Sequence, residues 1–166
     1  MEIKKIKVYN YGELSDCSKE RARAKFLENS DFYWWSDCEK AIKSFCDHFG
    51  VGKLDYSIGA FCPSWIDTNA DNSHFKGLKL KDFKDADKLA KTGYCEELNM
   101  FDEFYSHWKE TGSPLLAFKH ALNAGCRSIQ KDMEYHQSDE FAEEMIIAND
   151  YQFTEDGEFF HYKEAA

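Results

Sequence analysis

Residues 113–133 read SPLLAFKHALNAGCRSIQKDM, and this stretch carries the strongest structural signal in the chain. Ser113 stands at an N-cap position and Pro114 at the first helical position, a combination typical of a helix start. Apolar residues then recur at spacings of three and four, which predicts one amphipathic helix facing a core. These residues are Leu115, Phe118, Leu122, Cys126, Ile129 and Met133.

The chain that follows this helix is strongly acidic. Residues 132–166 contain eleven carboxylates and one lysine, which gives a net charge of −10. The whole chain of 166 residues has the same formal charge of −10, so residues 1–131 are neutral overall. Ser138 is expected to cap a last helix ending near Asn149, and a terminal hairpin is expected over residues 151–162. The acidic residues therefore fall in ordered elements.

Upstream residues alternate between helical and strand patterns. Ser15 is expected to cap a helix over residues 16–29 with a basic outer face of Lys19, Arg21, Arg23 and Lys25, the only compact basic patch. Ser30 and Asp31 are expected to cap a second helix that ends at Gly50. The remaining predicted elements are a strand over residues 2–9, a strand over 54–61, a loop over 62–73, a strand over 74–80, and helices over 82–91 and 95–110.

These elements predict one α+β domain over residues 1–166. A small antiparallel sheet, formed by the N-terminal strand, the central strands and the C-terminal hairpin, would pack against five to six helices. The acidic helix and hairpin would occupy residues 132–162.

Composition limits the cellular setting and the partners. The N-terminal stretch MEIKKIKVYN has no apolar signal-peptide core, and no run approaches the ~20 apolar residues of a membrane helix. The six cysteines are too sparse for a disulfide scaffold and are interpreted as reduced. We therefore expect a cytoplasmic protein. Its negative charge disfavours direct binding to nucleic acid or a membrane and favours basic protein or ribonucleoprotein partners.

Motifs for catalysis or metal binding are weak. The sequence contains no phosphate-binding loop, GxSxG elbow, HExxH or CxxC. Asp67 to Asp71 has the first ligands of a calcium loop, but Asn72 and Leu78 replace its glycine and bidentate glutamate. Cys46 and His48 lack the second ligand pair of a zinc site, and His48 is expected to lie exposed near the end of its helix. No catalytic residue, metal or cofactor is predicted.

The remaining candidates are residues for binding a protein partner. Asp31, Asp37 and Glu39 surround the run Phe32 to Trp35, which disfavours base stacking and favours a protein contact by exposed aromatic rings. Carboxylates on rigid elements can imitate nucleic-acid phosphates. The candidate residues are Asp132, Glu134, Asp139, Glu140, Glu143, Glu144, Glu155, Asp156 and Glu158, with Tyr33 and Trp34.

Residues 11–16, YGELSD, and residues 148–157, ANDYQFTEDG, resemble small uncharacterised proteins of phages and prophages. Those proteins pair an opening ELSDxxKExA-like helix with a closing NDYxFTEDG-like hairpin, although Cys17 and Ser18 interrupt the first motif here. The resemblance implies no catalytic residues. It implies an accessory protein of the anti-CRISPR or anti-restriction type, which inhibits a host defence complex.

The leading hypothesis is thus a non-enzymatic inhibitor that occupies a basic groove of a host nucleic-acid-binding complex. The first alternative is a small enzyme that acts on a nucleotide or protein through a Cys/His/Asp site, such as Asp71, His74 and a cysteine. The second alternative is an oligomeric regulatory or structural module, which includes a homodimer.

Overall fold

This computed structural model describes residues 7–160. They include five α-helices and two small antiparallel sheets. The helices are α1 (Asp16–Glu28), α2 (Trp35–His48), α3 (Cys95–Thr111), α4 (Pro114–His136) and α5 (Asp139–Ala148). The strands are β1 (Tyr9–Asn10), β2 (Leu54–Ser57), β3 (Trp65–Thr68) and β4 (Gln152–Phe153). The predicted α+β class is confirmed, but β1 pairs with β4 and β2 with β3 in two separate sheets.

The chain divides into two compact units. Residues 32–134 form the central unit, and the terminal unit takes its described residues from 7–31 and 135–160. The last two residues of α4 belong to the terminal unit. Among the described residues, no helix combines the length and apolarity that crossing a membrane requires. The single domain over residues 1–166 stays a prediction.

Aromatic rings fill the core of the central unit. Phe45 on α2 stacks on Phe118 of α4 with ring centroids 5.5 Å apart, and it meets Phe101 of α3 at 4.9 Å. Phe49 lies 4.8 Å from Phe104. Burying each such ring contributes about 2 kcal/mol, and the paired rings add a smaller directional term. The helical spacing predicted for α4 therefore supplies Phe118 to this core, and α2 supplies Phe45.

Several predicted elements of the central unit are corrected by the structure. The predicted cap at Ser30 and Asp31 is wrong, because α2 begins at Trp35 and the chain turns at residues 33–34. Phe32 packs against the aromatic core, and this burial outweighs an exposed polar cap. The predicted helix over 82–91 is replaced by two 3₁₀ turns, Leu80–Phe83 and Ala86–Lys88, whose buried residues are Phe83 and Ala86.

The predicted pairing of the central strands is also wrong. β2 ends at Ser57, and its partner β3 lies inside the segment predicted as a loop. Residues 74–80 do not form a strand, because Asp71 caps a 3₁₀ turn over Asn72–Phe75 by accepting a hydrogen bond from the Ser73 amide at 2.8 Å. The short polar side chain of Asp71 thus fixes the local backbone in place of a strand ladder.

A buried carboxylate ties the start of α3 to the preceding loop. Glu97 is 0% exposed, and its Oε2 accepts hydrogen bonds from the amides of Lys91 and Thr92 at 3.0 and 2.7 Å. Burial acts to raise the pKa of Glu97, but hydrogen bonds from Ser44, Thr92 and the Lys91 amide outweigh it and lower the pKa. The buried side of α3 runs through Glu97, Met100, Phe101 and Phe104. Leu98, Tyr105 and Trp108 are partly buried against the same core.

A small apolar cluster supports the terminal unit. Tyr11, Leu14 and Ala22 pack with Ile146 of α5 and Phe153 of β4. β1 pairs with β4 through Tyr9 opposite Phe153, and the Phe160 amide donates to the Gln152 carbonyl at 2.8 Å to close the terminal hairpin. The helix caps predicted at Ser15 and Ser138 are confirmed. The predicted first strand over residues 2–9 and the hairpin end at 162 lie partly outside the described residues.

We expect Glu97→Gln to lower the free energy of unfolding by about 2 kcal/mol at pH 7, because a neutral amide oxygen accepts the hydrogen bonds from Lys91 and Thr92 less strongly than a carboxylate does. The folded pKa lies below the unfolded value of about 4.3, so this contribution is complete above pH ~4.3 and disappears as the pH falls through the folded pKa. Urea denaturation of both proteins at neutral and acidic pH measures the difference. A constant difference across that range would contradict the assignment.

Gly157→Ala is expected to destabilise the terminal unit by about 2 kcal/mol or more. Gly157 has φ of +88°, and an added Cβ would lie 2.2 Å from the backbone oxygen of Ser18. Gly12→Ala is the matched control, since its Cβ would meet no atom within 4 Å. Thermal unfolding of the two variants tests this, and equal melting temperatures would show that the hairpin turn can relax.

Candidate protein-binding surface

The acidic face of α5 forms the centre of the candidate surface. Residues 135–160 contain eight carboxylates and no lysine or arginine. Ser138 caps α5 by accepting a hydrogen bond from the Phe141 amide at 3.2 Å, and Ala142 and Ile146 are buried on its inner side. This packing leaves four carboxylates exposed along the helix: Asp139, Glu140, Glu143 and Glu144.

Arg23 of α1 compensates part of this charge. Its Nη1 donates to the Tyr11 hydroxyl at 2.8 Å, and that hydroxyl donates to Glu143 Oε2 at 3.3 Å. Arg23 Nε also lies 3.4 Å from Asp139 Oδ2. The predicted outer-face position of Arg23 is therefore wrong, because its side chain is only 17% exposed and faces α5. Burial raises the pKa of Tyr11, against the opposing effect of the Arg23 hydrogen bond.

The four carboxylates of α5 therefore differ in what they can offer a partner. Asp139 and Glu143 are paired with Arg23, and Glu144 accepts a hydrogen bond from the Tyr135 hydroxyl at 2.5 Å, which raises the pKa of Tyr135. Glu140 has no lysine or arginine within 4 Å among residues 7–160. Of the four carboxylates on α5, Glu140 alone has neither a cation nor a hydrogen-bond partner among residues 7–160.

The hairpin turn adds three carboxylates in the same unit. Thr154 Oγ1 donates to Asp156 Oδ1 at 2.5 Å, and this hydrogen bond lowers the pKa of Asp156. The Ser18 hydroxyl donates to the backbone oxygen of Glu155 at 2.8 Å. The turn is therefore fixed by its backbone, while the carboxylates of Glu155, Asp156 and Glu158 stay exposed.

The other predicted binding residues lie in the central unit. Asp132 is exposed near the end of α4, and Tyr33 and Trp34 are 73% and 53% exposed before α2. Glu134 has a structural role, since its Oε1 accepts hydrogen bonds from Gln130 Nε2 at 2.7 Å and from the Phe61 amide at 3.3 Å. Phe61 is held at φ of +58° with 73% of its surface exposed. Sequence reasoning missed this link, which joins residues 73 positions apart.

Burial makes three of the six cysteines poor candidates for a thiol site. All six are free, and Cys38, Cys46 and Cys126 are buried. Burial raises the pKa of Cys38 and Cys46 to about 12 and that of Cys126 to about 11, so these sulfurs stay as unreactive thiols. Cys46 lies at the base of a 460 Å³ cavity between α2 and β2, which Lys40, Lys43 and Tyr56 also line. Cys46 therefore does not supply an activated nucleophile to that cavity.

Three histidine side chains pack against other aromatic or imidazole rings. His48 was predicted to be exposed, but its ring packs 5.0 Å from Phe101 and 5.7 Å from Phe83, and burial lowers its pKa. His107 and His120 stack with ring centroids 4.1 Å apart and planes 6° from parallel. A metal lies in the plane of each imidazole that binds it, so parallel stacked rings cannot share one ion. The described residues contain no group of three ligands suited to a metal.

Asp71 and His74, named for the alternative enzyme site, lie at a 3₁₀ turn, where Asp71 is exposed and His74 is half-buried. Asp71 Oδ1 lies 3.1 Å from His74 Nδ1, and the same oxygen accepts from Ser73. Asp67 Oδ1 accepts a hydrogen bond from the Thr68 amide at 2.8 Å. Hydrogen bonding to Ser73 lowers the pKa of Asp71, which suits a cap that stays ionised. These contacts account for both aspartates as local backbone caps.

We expect Arg23→Met to lower the free energy of unfolding by about 1 kcal/mol, because the buried Tyr11 hydroxyl loses its charged donor. Arg21→Met is the matched control, since Arg21 is exposed on the same helix and should change stability by less than about 0.5 kcal/mol. Urea denaturation followed by circular dichroism measures both. Equal losses in the two variants would assign the effect to net charge.

The geometry thus presents fixed carboxylates and exposed rings, with the buried titratable groups used in packing. Comparison of the chain with models of protein families, with curated proteins and with solved structures finds no match.

Proposed function

We propose that this chain is a phage-type, non-enzymatic inhibitor that occupies a basic, nucleic-acid-binding groove of a host defence complex. The observation that carries the proposal is the set of carboxylates on α5 and the terminal hairpin, which has no lysine or arginine of its own. Its likeness in sequence to phage accessory proteins supports the host setting. The basic host partner and a location in the host cell cytoplasm are both parts of this proposal.

Rigid placement of the carboxylates supports this role. Ser138 caps α5, and the hairpin is closed by the Thr154 amide donating to the Glu158 carbonyl at 2.9 Å. Charges held on such elements lose little conformational entropy when they meet a complementary surface. A duplex likewise presents charges at fixed positions, and a groove that binds phosphates attracts either surface with similar salt dependence.

The ion pairs of Arg23 reduce the number of carboxylates that are proposed to contact a partner. Asp139 and Glu143 serve the fold of the terminal unit, so the residues offered to a partner are Glu140, Glu155, Asp156 and Glu158. Glu144 and Tyr135 add a hydrogen-bonded pair beside them. Tyr33 and Trp34 stay proposed as a second contact from the central unit, where both rings are exposed.

The test uses bacteria whose CRISPR or restriction system blocks a matching phage. Expression of the intact chain is expected to restore plaque formation, and Glu140→Gln/Glu155→Gln/Glu158→Gln is expected to weaken the effect. Each exposed ion pair contributes about 0.5 kcal/mol, so losing three should lower affinity about tenfold. The triple variant should unfold at the same temperature as the parent, since none of the three carboxylates has an internal ion pair among residues 7–160.

Asp82→Asn/Asp87→Asn/Glu110→Gln is the matched control. It removes the same charge from exposed positions of the central unit. Full activity of this control with loss in the acidic-surface variant would support the proposal. Equal loss in both would reduce the effect to net charge, and no restoration of plaques by the parent across the defence systems tested would refute the proposed inhibition.

A further inference from the structure

The outer face of the β2–β3 hairpin places two carboxylates and an indole side by side. Leu54 and Ile66 turn inward against the aromatic core. The alternate residues Asp55, Ser57, Trp65 and Asp67 are exposed on the opposite face. Within residues 7–160 the sheet has only these two strands.

Two aspartates face each other across this hairpin. Asp55 is the direct cross-strand partner of Asp67, which places their Cβ atoms about 5 Å apart. Like charges in this position destabilise a strand pair. No lysine or arginine of residues 7–160 lies within 4 Å of either carboxylate. The hairpin therefore retains an unfavourable, uncompensated charge pair.

An exposed indole lies beside the two carboxylates. Trp65 is 46% exposed and pairs with Ser57, one step along the same face. It is the diagonal neighbour of Asp55, at a separation of ~7–8 Å that long side chains bridge. A cation above the indole ring can therefore also contact the carboxylates.

We propose that this face binds an arginine side chain of a partner protein, with the guanidinium between Asp55 and Asp67 and against the ring of Trp65. Arginine fits better than lysine, because its planar fork can donate to two carboxylates while its flat face stacks on an aromatic ring. The incoming charge would remove the repulsion that destabilises the free hairpin. The site lies in the central unit and uses none of the carboxylates of the proposed inhibitory surface.

The contact is tested by NMR titration of the ¹⁵N-labelled chain with acetyl-Arg-Arg-amide, with acetyl-Gln-Gln-amide as the neutral probe. Binding should shift the amides of Asp55 and Asp67 and the indole N–H of Trp65. Asp55→Asn/Asp67→Asn and Trp65→Leu should each weaken binding at least about fivefold. Asp82→Asn/Asp87→Asn, with the same change in charge elsewhere in the unit, should bind like the parent.

A second readout separates binding from folding. Asp55→Asn alone should raise the urea midpoint of unfolding while it weakens the probe, since it removes the repulsion and a ligand together. Equal binding by the double asparagine variant, or shifts confined to the acidic face of α5, would overturn the proposal. If the same resonances shift with protein concentration in the absence of the probe, the face is a contact between two copies of the chain. That result would also overturn the proposal. Plaque restoration by the parent is scored separately, so either proposal can fail alone.

Discussion

The terminal unit depends on the ion pairs that Arg23 makes with Asp139 and Glu143 of its acidic helix. α5 carries carboxylates at i and i+4 in two overlapping pairs, Asp139 with Glu143 and Glu140 with Glu144, and like charges at that spacing destabilise a helix. Arg23 places one cation beside Asp139 and Glu143. The Tyr11 hydroxyl accepts a hydrogen bond from Arg23 and donates one to Glu143. The Ser138 cap and the dipole at the helix start favour Asp139 and Glu140 further. Without these contributions, an acidic helix of ten residues has little intrinsic stability.

The same network divides the acidic residues by role. A carboxylate that pairs with Arg23 is partly neutralised and held, whereas Glu140 or Glu158 projects a full charge from a fixed backbone. Net charge alone could not separate these groups, because it counts every carboxylate equally. The proposed binding residues are therefore fewer than the acidic residues of the segment, and they are the ones whose loss affects folding least.

Sequence periodicity predicted the elements whose buried faces are long. α4 has six apolar positions at helical spacing, and α1, α3 and α5 carry caps or terminal glycines that mark their ends. The errors fall where a tertiary contact or a competing local cap outweighs the sequence pattern. Phe32 enters the core past the predicted cap at Ser30, and Asp71 stops the backbone from continuing as a strand.

The candidate surface was predictable in part for the same reason. Its residues could be placed on a helix and a hairpin, because Ser138 and Gly157 signal both locally. The partners of those residues could not be found, since Arg23 lies 116 positions from Asp139 and no local pattern joins them. That Asp55 and Asp67 face each other follows only from the register of β2 and β3. This register could not be predicted, because β3 lies in the segment that was predicted to be a loop.

Two kinds of electrostatics coexist in this chain and suit different stages of binding. A net charge of −10 acts over about a Debye length, so it accelerates encounter with a basic partner without selecting a geometry. The paired aspartates beside Trp65 act over a few ångströms and need one cation in one orientation. Long-range attraction is lost at high salt, whereas a guanidinium held between two carboxylates and a ring is screened less. A partner that keeps contact as salt rises must therefore use short-range features of this second kind.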